Sequence, residues 1–117
     1  MRVAARLFTA VSRRRVQEAT TLNNLGALYR DTQRLKESAD AYAEALQIRR
    51  DLAKANPQAY LPDVAATLNN LGILYGAEGE TAASAGACNE AANILQQLAA
   101  DNPDKFGPEL RSVCTSQ

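Results

Sequence analysis

Apolar and polar positions follow the period of a helix along most of the chain. Leu22, Leu25, Gly26 and Tyr29 stand at i, i+3, i+4 and i+7, one stripe of a helical face. The short polar stretch DTQR at 31–34 then interrupts the pattern. A second stripe follows through Ser38, Ala41, Tyr42, Ala45, Ile48 and Leu52. The spacing predicts helices over about 17–31 and 35–55, joined by a tight turn. Asn56-Pro57 ends the second helix, because a residue before proline avoids the helical region. NPQAYLP at 56–62 reads as a loop, and Pro62-Asp63 reads as the start of the next helix, with proline and an acid in its first turn.

The same pattern then returns. ATTLNNLGALY at 19–29 and AATLNNLGILY at 65–75 match at nine of eleven positions, 46 residues apart. Ser38 recurs as Ser84, Ala41 as Ala87, Glu44 as Glu90, Ala45 as Ala91, Ile48 as Ile94, and Asn56-Pro57 as Asn102-Pro103. The predicted organisation is a first repeat at 17–62, a second at 63–107 with helices over about 63–77 and 80–100, and a truncated third repeat or capping helix at 108–117. Residues 1–16 do not fit the period and are expected to form a separate basic helix. The fold class is therefore all-α, a solenoid of about five or six helices in antiparallel pairs. One pair cannot bury its apolar face alone, and a copy of itself is the neighbour it needs. Gly26 and Gly72 cost their helices about 1 kcal/mol each relative to alanine. Their recurrence at one register predicts close approach of the partner helix, with the small residues Ser38, Ala41 and Ala45 facing them.

Composition adds to this picture mainly by exclusion. Alanine and leucine dominate, which favours helix over sheet. No apolar run reaches the length of a membrane span. The chain has no histidine, the commonest general base and metal ligand. No phosphate-binding GxxxxGK loop is present, and GAEGE at 76–80 suits a helix–helix turn. No catalytic role, cofactor or metal is expected. Cys88 and Cys114 lie 26 residues apart, which is neither a CxxC pair nor a zinc spacing. They read as incidental thiols of a reduced, cytoplasmic protein, with Cys88 on the core side of its helix.

Charge is uneven although its sum is zero. Residues 1–16 carry five arginines and no acid, whereas residues 56–103 carry five acids and neither lysine nor arginine. Arg13-Arg14-Arg15 admits three readings: a nucleic-acid or import patch, part of an organellar presequence, or the surface of a helix covering the open end of the first repeat. The third is favoured, with Val3, Leu7 and either Ala10 or Val11 as its apolar side and Phe8 as a further candidate. Nucleic acid fits poorly with an acidic second half and few aromatics.

Leu22, Leu25, Gly26, Tyr29, Ser38, Tyr42 and Ala45, repeated as Leu68, Leu71, Gly72, Tyr75, Ser84 and Ala91, resemble the signature of the tetratricopeptide repeat. TLNNLGALY is most similar to the longer repeats of kinesin light chains and many bacterial repeat proteins. Cys88 departs from the pattern where the first unit has Tyr42, as does Thr81 where it has Leu35. The resemblance implies a right-handed superhelix whose first helices line a concave face that binds peptides or partner proteins. Thr20, Asn23, Asn24, Ala27, Arg30 and Asp31 form the stripe beside the core on the first such helix. Ala66, Asn69, Asn70, Ile73 and Ala77 form it on the second. Asn23, Asn24, Ala27, Arg30, Asn69, Asn70 and Ile73 are the candidate peptide-binding residues. Asn24 and Asn70 match a position that in the family often hydrogen-bonds the backbone of an extended ligand, a task suited to an amide that donates and accepts. The same asparagines could instead bridge neighbouring helices. Arg30 is the lone cation on the stripe, so a clamp for a C-terminal carboxylate is not expected, and neutral or basic partners suit the groove better. The rival to peptide binding is a structural role, self-assembly through the exposed repeat ends.

Overall fold

A computed structural model describes the backbone of residues 2–114 and the side chains of residues 11–114. Among the described residues there are five helices and no strand: α1 Arg2–Asp31, α2 Leu35–Ala55, α3 Pro57–Ala77, α4 Thr81–Asp101 and α5 Pro103–Arg111. Each helix packs against the next in the chain. Early α2 lies on late α1, where the Ser38 hydroxyl donates to the Gly26 carbonyl at 2.7 Å. Late α2 lies on earlier α1, where Ile48 and Leu52 bury Ala19 beside Val16 and Leu22. The two helices are thus antiparallel. Ser84 and Gly72 repeat the first contact between α4 and α3, again at 2.7 Å. The chain is an all-α solenoid of the kind the pattern implied.

The two turns within the pairs are built alike. Thr32–Arg34 closes α1 with Arg34 N–H donating to the Tyr29 carbonyl and Gln33 N–H to the Arg30 carbonyl. Glu80 and Gly79 do the same towards Tyr75 and Gly76 at the end of α3. Both are Schellman caps, which need a left-handed residue just past the helix. Gly79 supplies it at φ 79°, and Gln33 adopts φ 64° at the same register.

Three expected boundaries are corrected. α3 starts at Pro57, not at 63, and contains NPQAYLP almost entirely. Asn56 is extended, as a residue before proline should be. It then caps the helix by accepting the Ala59 N–H at 3.3 Å, while Pro57 fills the first helical position, where no N–H is needed. Pro62 sits inside the helix. The carbonyl it leaves without a donor is that of Gln58, on an exposed turn where water can serve it. Helicity from 57 onward brings Tyr60 against both apolar clusters it adjoins, and that burial offsets the proline. α5 repeats the device at Asn102, Pro103 and Pro108, and buries Phe106, so the last helix begins at 103 and not at 108. α1 runs unbroken through residue 16, because residues 10–16 hold neither Asn-Pro nor any other stop. Among the described residues, 2–16 belong to α1 and form no separate helix. Val11 is 55% exposed; the side chains of Val3, Leu7, Phe8 and Ala10 lie outside the described residues.

The main core fills the space between α2, α3, α4 and α5, with Val64, Ala65, Leu68, Ala91, Leu95, Leu98 and Phe106 buried. A smaller cluster joins Tyr42 of α2 to Leu71 and Leu74 of α3. That contact seats one repeat on the next.

Candidate functional site

The first-helix stripe spans α1 and α3, and the structure sorts its residues into two kinds. Asn23 is half-buried and faces the next repeat. Its amide oxygen accepts the Thr67 hydroxyl at 3.1 Å and the Asn70 amide at 3.4 Å. Thr67 is fully buried, and its oxygen in turn accepts from the Arg49 guanidinium at 2.7 Å. Arg49 also donates to the Asp63 carbonyl. Burial lowers the Arg49 pKa from its ordinary value, partly offset by the charge of Asp63. Arg49, Thr67, Asn23 and Asn70 therefore form one polar chain from α2 through α3 to α1. Each buried polar group in it has a partner, which is the condition for burying such groups at all.

Asn69 has the register of Asn23 one repeat on, and its amide oxygen accepts the backbone N–H of Cys114 at 2.6 Å. The first asparagine of each pair is thus spent on whatever packs next along the stack. Asn24 differs, being exposed to solvent in mid-helix. Ala27, Arg30, Asn70 and Ile73 are half-buried along the same side of the two helices. Arg30 lies 3.6 Å from Asp31. Among the seven candidates, tertiary contacts join Asn23 to Asn70, while Asn69 turns to the C-terminal segment.

The glycines are covered by different groups. A Cβ on Gly26 would stand 2.6 Å from the Tyr42 ring, and one on Gly72 would meet the sulfurs of Cys88 and Cys114. The space a Cβ would fill is therefore taken by an aromatic ring and a disulfide, while the expected small residue Ser38 meets Gly26 at its carbonyl, as Ser84 meets Gly72. Tyr42 is wholly buried, its hydroxyl has no partner, and desolvation raises its pKa above the ordinary value. Cys88 and Cys114 are joined by a disulfide with Cα atoms 6.0 Å apart, which corrects the reading of incidental thiols. Their separation in sequence matched no motif because the bridge closes only after the segment beyond α5 folds back over α3. Arg49 and Thr67 were also missed. Their signal was a charged and a hydroxyl residue on otherwise apolar faces of the predicted helices.

A bidentate ion pair between Arg50 and Glu90 ties α2 to α4. The hydrogen bond from Arg50 holds the Glu90 carboxyl below its ordinary pKa, against a desolvation that raises it. Among the described residues, no group of three or more cysteine, aspartate or glutamate side chains could hold a metal. No described helix is long and apolar enough to cross a membrane.

Residues 19–58 match the family model described as a tetratricopeptide repeat. That segment covers the first pair from mid-α1 through the start of α3, and the second pair repeats its sequence 46 residues later. The comparison with curated proteins found no match. Such repeats are non-catalytic scaffolds that mediate protein–protein interaction.

Proposed function

We propose that this chain, whose residues 19–58 match a tetratricopeptide repeat, binds an extended peptide or a segment of a partner protein along the stripe of α1 and α3. One observation carries the reading: Asn24 is exposed in mid-helix while its neighbour Asn23 is consumed by the stack. Asparagine is a poor helix former, so an exposed copy needs a use that lies outside the fold. Asn70 gives its amide N–H to Asn23 and offers its oxygen to a peptide N–H. Asn24 and Asn70 then bond the ligand backbone one repeat apart, with Ala27 and Ile73 as apolar contacts and Arg30 at the end of α1. Asn23 and Asn69 hold the helices that carry them. Exposed Glu78 and Glu80 follow α3, and no cation lies between 56 and 103, so a neutral or basic peptide is the matching partner. A cytoplasmic setting belongs to the same reading.

The test uses an array of neutral and basic extended peptides. The double variant Asn24→Ala, Asn70→Ala is expected to lose about tenfold or more in affinity for any peptide the parent captures, with thermal unfolding nearly unchanged. Asn23→Ala is the contrast: it strips the acceptor from a buried hydroxyl and is expected to cost about 1–3 kcal/mol of stability. Unchanged binding by the double variant would sink the reading.

A second reading, self-assembly, is favoured by Leu28. Leu74, one repeat later, is wholly buried beside Tyr42, whereas Leu28 is 56% exposed. A second copy stacked end to end would cover it. Light scattering across concentration reads this directly: growth in mass that Leu28→Glu abolishes supports assembly, and a monomer at every concentration refutes it.

A further inference from the structure

Cys88 stands 46 residues after Tyr42. In the first repeat the Tyr42 ring covers Gly26, and in the second the two sulfurs of the disulfide cover Gly72. The ring is a permanent plug, whereas the disulfide is a plug that can be opened. The bridge to Cys88 ties Cys114 to α4, while its N–H donates to the Asn69 side chain and its sulfur stands 3.9 Å from the Asn69 carbonyl on α3; Val113 before it packs against the main core. The Cys114 backbone has φ 51°, a left-handed conformation that a residue with a side chain adopts at some cost. Beside the bridge lies a cleft of about 620 Å³ lined by Ile73, Ser84, Cys88, Asn89 and Cys114, among others, and both cysteines are half-exposed.

We propose that Cys88–Cys114 is a reversible thiol latch that fastens Cys114 across Asn69 and Gly72, and that a dithiol reductant opens it. A thiolate of the reductant attacks one sulfur, the bond between the two cysteines breaks, and a mixed disulfide forms. The second thiol of the reductant then displaces the protein sulfur. The protein gains two electrons and two protons as two thiols, and the reductant leaves as its own disulfide. With the bridge open, Val113 stays packed on the main core, and the contacts to Asn69 do not hold Cys114 in its strained conformation. Cys114 leaves and the Asn69 oxygen loses its partner, while the Cys88 sulfur stays over Gly72. Asn23 has no such freedom, since its partners Thr67 and Asn70 sit within α3. In a reducing compartment protein disulfides are transient and redox-sensing, so the open form is the reduced one. The latch stands without any ligand. Only its consequence, a longer free stripe along α3, rests on the peptide-binding reading.

The experiment is amide hydrogen exchange on the full 117-residue chain, oxidised, then treated with dithiothreitol under native conditions, then reoxidised. The Cys114→Ser chain serves as a form that never closes. Opening is expected to raise exchange at position 114 by about tenfold in both the reduced and variant chains, with the interior amides of α1–α4 unchanged and the effect reversed on reoxidation. Three results would overturn the latch. One is unchanged protection at 114 after reduction. Another is loss of protection throughout α3 and α4, which marks a staple of the whole repeat. The third is a bond that dithiothreitol reaches only in denaturant. None of these readouts involves a peptide, so they fail or succeed apart from the binding test.

Discussion

At the scale of single residues, what a side chain costs depends on what stands opposite it. Gly26, Gly72 and Gly86 all interrupt helices, yet their surroundings differ. A Cβ on Gly26 collides with the Tyr42 ring, which is fully buried and cannot swing away. A Cβ on Gly86 meets nothing within 4 Å. Gly26→Ala is therefore expected to destabilise by about 1–3 kcal/mol through overpacking. Gly86→Ala should stabilise by about 0.5–1 kcal/mol, through helix propensity and a less disordered unfolded chain. Urea unfolding of the two variants beside the parent checks both signs. The same logic divides Asn23 from Asn24: adjacent in sequence, they differ by the rotation of one residue around α1, and only Asn23 meets Thr67.

At the scale of elements, helix starts depend on caps as much as on apolar spacing. α3 and α5 each begin with an extended asparagine, a proline and a side-chain oxygen accepting the N–H three residues on. The cap satisfies a donor that would otherwise be orphaned and fixes where the first turn begins. Asn56→Ala is expected to cost about 1 kcal/mol and to fray residues 57–61. Loss of amide protection there, with Val64 onward unaffected, would report the fraying. A uniform loss along α3 would show that the cap does no local work. Residues 57–61 matter because they carry Tyr60, which adjoins the main core and the Ile48–Leu52 cluster.

At the scale of the whole molecule, the repeats are joined by apolar contact and by a few directed polar links. Arg50 and Glu90 form one such link across α2 and α4. The Glu90 carboxyl titrates below its ordinary 4.5 when folded. A depressed folded pKa means the pair contributes its stability above the unfolded value and loses it as pH falls through the folded one. Both side chains are about two-fifths exposed, so solvent screens the pair and its worth is at most about 1 kcal/mol. Glu90→Gln is expected to be less stable than the parent by up to about that amount at pH 7. The difference should vanish as acid protonates Glu90, and a gap that persists at low pH would assign the effect to packing. Salt should narrow the gap at neutral pH as well.

The sequence by itself determined the period, the helix pairs and the likeness to the tetratricopeptide repeat, because these rest on local spacing: apolar stripes at helical intervals and a phrase written twice. It also marked the stripe on the first helices as the face left over once the core was assigned. Tertiary structure alone decided the rest. Proline signals at 57 and 62 read as a loop until burial of Tyr60 outweighs the hydrogen bond that Pro62 forgoes. The cysteines read as separate until the segment after α5 folds back onto α3 and brings their Cα atoms within bonding range. The two asparagines of each pair are equal in sequence, and only what packs against them, α3 for Asn23 and the segment after α5 for Asn69, decides how each is used. Spacing along the chain specifies which residues share a face. What that face meets depends on contacts made between residues far apart in the chain, some 44 to 47 positions in the case of Asn23, and no local pattern encodes them.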